Sequence, residues 1–102
     1  IHFILFNKIM NNENFKNFVS KMTKNNKKGI IYSYANWCQK CKKLNSTQSS
    51  IYELYQMNVD DEQELIEILD IRILPTYTMV KLNNKNGLEI VKQATTLEEL
   101  VN

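Results

Sequence analysis

Phe15, Phe18, Val19 and Met22 fall at i, i+3, i+4 and i+7, one apolar stripe of a helix that Asn12 or Asn14 can cap. On either side the pattern changes. Residues 2 to 6 form a short apolar run that suits a strand, and IIYSYA (Ile30 to Ala35) is β-branched and aromatic, as a buried central strand requires. From Tyr55 to Val59 apolar residues alternate with Gln56 and Asn58, the period of a strand. Leu65, Ile66, Ile68 and Leu69 return to helical spacing, with Asp60 or Asp61 as the expected cap and Glu64 in the first turn. TYTMVKL (Thr76 to Leu82) and LEIVK (Leu88 to Lys92) predict a hairpin through NNKNG, where Asn86 and Gly87 suit positive backbone torsions. TTLEELVN places Thr96 and Glu99 at capping-box spacing before a short final helix.

With a further helix expected to begin at the residues after Ala35, the order is β, α, β, α, β, α, β, β, α. It joins a parallel part to a terminal antiparallel hairpin. The fold class is therefore α/β, with one mixed central sheet and helices on both faces. At 102 residues the chain suits one domain, 1–102, with a single core.

Composition narrows the function. The net charge of +2 is small and the basic residues are spread along the chain, which disfavours nucleic acid and anionic membrane as partners. The densest basic run, Lys24 to Lys28, is expected as a solvated loop closing at Gly29. No apolar stretch approaches the roughly 18 residues that span a bilayer. IHFILF lacks a basic lead and a small-residue cleavage site, so it is expected as a strand and not a signal peptide. Nothing in the sequence assigns a compartment.

The candidate chemistry lies in NWCQKCKK, Asn36 to Lys43. A disulfide between Cys38 and Cys41 would close too short a loop to stabilise the fold much, so the pair is better explained by reactivity. Three alternatives compete: a redox dithiol, half a zinc site, and residues retained in a non-catalytic interaction module. Zinc wants four ligands, and the only other good candidate is His2. Asp60, Asp61, Glu62 and Glu64 are expected as a solvated helix start and not a metal cluster. With one histidine and only Gly29 and Gly87 as glycines, neither a serine triad nor a glycine-rich phosphate loop is available.

For a redox pair, Cys38 at the first turn of a helix would have its thiolate favoured by unpaired backbone N–H groups. Moving a thiol pKa from ~8.5 to about 7 needs roughly 2 kcal/mol. A helix end supplies about 0.3 to 1 kcal/mol, rising to ~2 when partly buried. Lys40, Lys42 and Lys43 add screened contributions on the order of tenths. Cys38 is then the nucleophile, and Cys41, one turn on and less exposed, the resolving thiol.

At these residues the chain resembles the thioredoxin family. The resemblance rests on YANWCQKCKK at the strand-to-helix junction, NVDDEQELIEILDIRILPT for the next strand, helix and proline loop, and the NNKNG hairpin. It implies a thioredoxin-like fold and a protein dithiol-disulfide oxidoreductase needing no cofactor or metal. It also implies a cis Pro75 beside the cysteines, Leu74 pairing its backbone with an extended substrate segment, and Trp37 shaping the site. The implied partners are protein disulfide substrates and a thioredoxin-reductase-type electron donor, with the chain as a monomer.

Three departures modify those expectations. Tyr32 stands where the family carries a buried aspartate and Gln56 where it carries the partner lysine, so the resolving thiol lacks a carboxylate base. Gln39 and Lys40 replace the usual Gly-Pro, and a cation between the cysteines is expected to make the couple more oxidising. The interval from the cysteines to Asp60 is about seven residues shorter than usual, which implies either an active-site helix cut to about two turns or a natural chain with a further piece there. The first and third departures favour the alternative of a catalytically weak interaction module in a larger assembly.

Overall fold

The computed structural model describes residues 2–5, 12–41, 51–83 and 87–101. Its elements are β1 (His2–Leu5), α1 (Glu13–Asn25), β2 (Lys28–Tyr34), β3 (Tyr52–Asn58), α2 (Gln63–Leu69), β4 (Thr76–Asn83), β5 (Gly87–Ala94) and α3 (Leu97–Val101). One sheet runs in the order β1-β5-β4-β2-β3. The parallel part is the β2–β3 pair, in register from Lys28↔Tyr52 to Tyr34↔Asn58. β4 runs antiparallel to both β2 and β5, and β1 lies antiparallel on the outer side of β5.

Alternation along β2 divides the core between the two faces of the sheet. Ile31 and Ala35 join Met57, Val59, Val80 and the stripe Phe15, Phe18, Val19 and Met22 under α1 and α2. Ile30 and Tyr32 point the other way, with Tyr77, Met79 and Leu100 of α3. Helices thus cover both faces.

The helix ends correct two local expectations, and the β4–β5 hairpin corrects a third. Lys24 to Lys28 is not a loop. α1 runs to Asn25, Asn26 turns left-handed at φ 53°, and β2 begins two residues later. Asn26 can do this because its N–H and that of Lys27 both reach the Met22 carbonyl, closing the helix as a left-handed cap does. At α2 the N-cap is Glu62, not Asp60 or Asp61, and its side chain makes no capping bond. Its carboxylate is held elsewhere: it accepts from the Tyr55 hydroxyl, and from Asn12 Nδ2 at 2.6 Å. Asn12 in turn caps α1, accepting from the Phe15 N–H at 3.0 Å. Gly87 opens β5 without a positive φ, and the Asn86 torsion lies outside the described residues. One half of the α3 capping box forms, with the Glu99 N–H donating to Thr96 Oγ1 at 3.1 Å; the Glu99 carboxylate accepts from the Thr96 hydroxyl at 3.1 Å.

Two predictions arise from this frame. Gly29 sits in β2 directly under α1, and a Cβ there would lie 2.8 Å from Met22 Sδ and closer still to the Phe18 ring. Gly29→Ala gains about 0.4 to 1 kcal/mol by restricting the unfolded chain, but overpacking costs about 1 to 3. A net destabilisation is expected as a lower urea midpoint.

The second concerns alkaline pH. Burial first, then the bond to Glu62 and that carboxylate's charge, push the Tyr55 phenol well above its ordinary value near 10. The unfolded chain therefore loses this proton first as pH rises. The contribution is complete below pH ~10 and is lost above it. Stability measured by urea unfolding should fall as pH rises past about 10, and fall less steeply in Tyr55→Phe.

Candidate functional site: a dithiol pair at the end of the central strand

β2 carries the site. After Tyr34 the chain turns at buried Ala35, whose carbonyl accepts the Cys38 N–H at 3.2 Å, and the Cys38 carbonyl accepts the Cys41 N–H at 3.2 Å. This turn brings the Cα atoms of Cys38 and Cys41 to 5.4 Å, and the two sulfurs are joined as a disulfide. The separation is typical of disulfides. Both cysteines are partly exposed, so Cys41 is not in a more buried class than Cys38, and Cys38 also packs against the main core. The helix expected to start at Cys38 would continue through Lys42, Lys43 and Leu44 to Ser50, outside the described residues. Among the described residues Cys38 and Cys41 lie in two consecutive turns and not in a helix, because each N–H reaches back only three residues, to Ala35 and to Cys38.

Trp37 is 68% exposed, and its indole is held at the nitrogen. Nε1–H donates to the Asp60 carboxylate at 3.0 and 3.3 Å, while the Asp60 N–H donates to Asn58 Oδ1 at 3.0 Å. The parallel pairing makes this possible, because the Val59 N–H on the Tyr34 carbonyl (2.9 Å) sets the β3–α2 turn beside the end of β2. Sequence reasoning assigned Asp60 to capping and missed this bond. No local pattern signals it, since the two residues meet only through strand pairing.

From the other side comes the loop before β4. The Leu74–Pro75 peptide is cis. Leu74 packs against the same core cluster as Cys38, and the register Ser33↔Thr76 fixes the loop beside the last residues of β2. Thr76 Oγ1–H donates to the Ile73 carbonyl at 2.6 Å, and Ile73 is left 59% exposed. Gln39 and Lys40 are exposed between the cysteines.

Tyr32 lies on the opposite face of β2 and is 1% exposed. Its ring stacks between those of Tyr77 (centroids 4.8 Å) and Tyr34 (5.5 Å), and Gln56 is its register partner on β3. The buried polar residues among those described are Ser33, Thr76 and Thr78, with no carboxylate. Among the described residues no three His, Cys, Asp or Glu side chains gather as a metal site, and no helix is long and apolar enough to cross a membrane. The His2 side chain lies outside the described set.

Comparison with known proteins agrees with this geometry. The family model described as Thioredoxin matches residues 7–102. Thioredoxin-1 of Drosophila yakuba is 32% identical over 63 residues, 55% of this chain and 59% of that protein, so the match spans well under two thirds of its length. A thioredoxin of Borreliella burgdorferi is 27% identical over 78 residues, 70% of this chain and 67% of the relative. Among solved structures, the germline-specific thioredoxin Deadhead of Drosophila melanogaster superposes with TM-score 0.64 at 22% identity, covering 85% of this chain and 88% of that one. A Thermus thermophilus thioredoxin gives 0.62 at 15% identity, covering 78% and 70%. The two structures show a shared fold. With the family match extending over nearly the whole sequence, the chain belongs to the thioredoxin family.

Proposed function

We propose that this chain is a thiol-disulfide oxidoreductase acting on protein disulfides, with Cys38 as nucleophile and Cys41 as resolving thiol. The observation that carries the reading is the partly exposed Cys38–Cys41 pair at bonding separation, where β2 ends between exposed Trp37 and the Leu74–Pro75 loop.

In the reducing direction, the Cys38 thiolate attacks one substrate sulfur, forming a mixed disulfide and releasing the other substrate sulfur as a thiolate, which takes up a proton. Cys41 then loses its proton and attacks Cys38 Sγ. The second substrate sulfur leaves and is protonated in turn. The substrate has gained two electrons and two protons, and the chain holds the disulfide described above. A thioredoxin-reductase-type donor would return it to the dithiol. Trp37, fixed by Asp60, and the backbone of Leu74 flank the substrate segment, which binds in extended form by strand addition. The chain acts as a monomer in this scheme. The test is reduction of a model protein disulfide with dithiothreitol as donor. Acceleration by the native chain and none by the double Cys38→Ser, Cys41→Ser variant is expected, and equal rates would refute the proposal.

Lys40 gives the couple a direction. A cation between the sulfurs favours thiolate, stabilises the dithiol form and so raises the reduction potential. Equilibration with glutathione buffers is expected to place the potential above the roughly −270 mV of thioredoxin. A value at or below that would count against the role of Lys40.

One observation favours a second reading, a catalytically weak interaction module. Tyr32 and its stacked neighbours occupy the position of the family's buried carboxylate. The double serine variant separates the two, since a module keeps its partners without the cysteines.

A further inference from the structure

Val59 to Glu62 connect β3 to α2. Val59 is buried, Asp60 and Asp61 are exposed, and Glu62 turns partly inward. At the N-cap of α2, with φ −133° and ψ 56°, Glu62 makes no capping bond, so its side chain does not serve the helix it begins. Its Oε1 instead accepts from the Tyr55 hydroxyl and from Asn12 Nδ2. Both donors are themselves fixed. The Tyr55 ring stands edge-on to Phe15, 5.1 Å between centroids, and lies 5.3 Å from Phe18, while Asn12 caps α1. Burial first, and then the carboxylate, keep the phenol protonated far above neutral pH, so it stays a donor.

Asp60, two residues earlier, accepts the Trp37 indole N–H. Both groups are exposed, and a hydrogen bond in water competes with solvent, so it persists where the acceptor is already in place. On the β3 side the turn is held by Asn58, whose Oδ1 accepts the Asp60 N–H and whose carbonyl accepts the Asp61 N–H, each at 3.0 Å. On the α2 side it is held by the Glu62 side chain.

We propose that Glu62 is a positioning residue for the site: anchored to α1 through Tyr55 and Asn12, it holds the β3–α2 turn where Asp60 meets the indole, and so sets the orientation of Trp37 beside the cysteine pair. The connection runs from the aromatic stripe of α1 through a phenol and a carboxylate to an exposed ring. In treating Trp37 as a contact for protein disulfides the inference rests on the exchange reading; the orientation of the indole does not.

Trp37 is the single tryptophan of the chain, so its indole N–H gives one signal in a proton–nitrogen correlation spectrum of the full, isotope-labelled protein in its disulfide form. Asp60→Ala defines the position of that signal with the bond lost. Glu62→Ala should move the signal at least half-way to that position. Glu62→Gln, which keeps an acceptor oxygen for Tyr55 and Asn12, should leave it near the native one. Tyr55→Phe keeps the ring and removes a donor; it should move the signal in the same direction as Glu62→Ala, and serves if that variant does not fold. In reduction of a model protein disulfide, Glu62→Ala should raise KM about two- to tenfold, the cost of ordering one side chain, with kcat kept.

An anchor that only stabilises the fold would lower the urea midpoint and leave the folded indole signal unmoved, and that result would overturn the proposal. Equal displacement in Glu62→Gln and Glu62→Ala would overturn it too, and an unchanged KM in Glu62→Ala would remove its bearing on substrate. Displacement of the indole as described, in a chain that fails to reduce protein disulfides, would refute the oxidoreductase reading and leave the anchoring standing.

Discussion

Cys41→Ser is expected to accumulate a stable mixed disulfide between Cys38 and a protein substrate, while Cys38→Ser should reduce exchange to the level of a control without protein. The asymmetry follows from the order of attack. With Cys41 removed, the first displacement proceeds and nothing resolves it, so the adduct persists until an external thiol intervenes. With Cys38 removed, the sulfur at the turn beside Trp37 is gone and the remaining thiol has no partner to complete the cycle. Non-reducing electrophoresis with mass-spectrometric mapping distinguishes them. An adduct through Cys41 in Cys38→Ser that matches the yield through Cys38 would reverse the roles assigned here.

Tyr32→Asp, the change that would restore a carboxylate at that position, is expected to destabilise the fold by about 3 to 5 kcal/mol, the range for truncating a buried aromatic ring. The substitution empties a ring-sized space beside Tyr34 and Tyr77 and buries a charge whose register partners on the neighbouring strands, Gln56 and Tyr77, are uncharged. Urea denaturation measures this. Tyr32→Phe keeps the ring stack and should cost no more than about 1.5 kcal/mol, the scale of one hydrogen bond. The same pair of variants addresses the chemistry. A phenol is a weaker acid than a carboxyl group and a poor proton acceptor in its neutral form, so Tyr32→Phe should leave the pH profile of exchange unchanged, and exchange in the native chain should be slower than in a thioredoxin with the carboxylate. A profile that shifts in Tyr32→Phe would assign the hydroxyl a part in proton transfer.

The legible part of this protein was what repeats along the chain. Phe15, Phe18, Val19 and Met22 carry a period that only a helix explains, and all four are buried. The tyrosines and isoleucines of β2 read as a strand because both of its faces are covered. The CxxC spacing after that strand located the cysteine pair, and the segment ILPT located the loop whose Leu74 packs on the same core cluster as Cys38. What the sequence did not reveal is what depends on partners distant along the chain. Asp60 looked like a helix cap and Glu62 like a solvated carboxylate of the helix start, yet one holds the Trp37 indole and the other ties Tyr55 to the cap of α1. The first pairing needs β2 and β3 side by side, and the second needs the start of α1 set beside the β3–α2 connection. The side of the sheet that β1 joins was equally silent, since a short apolar strand fits either edge.

The central claim is that Cys38 reacts as a thiolate and does so before Cys41. The most direct measurement is the rate of alkylation of the fully reduced chain as a function of pH, with the modified sulfur identified by mass spectrometry. Cys38 should be modified first, with a midpoint clearly below the ~8.5 of a free thiol. Preferential modification of Cys41, or a Cys38 midpoint at or above that value, would contradict the account.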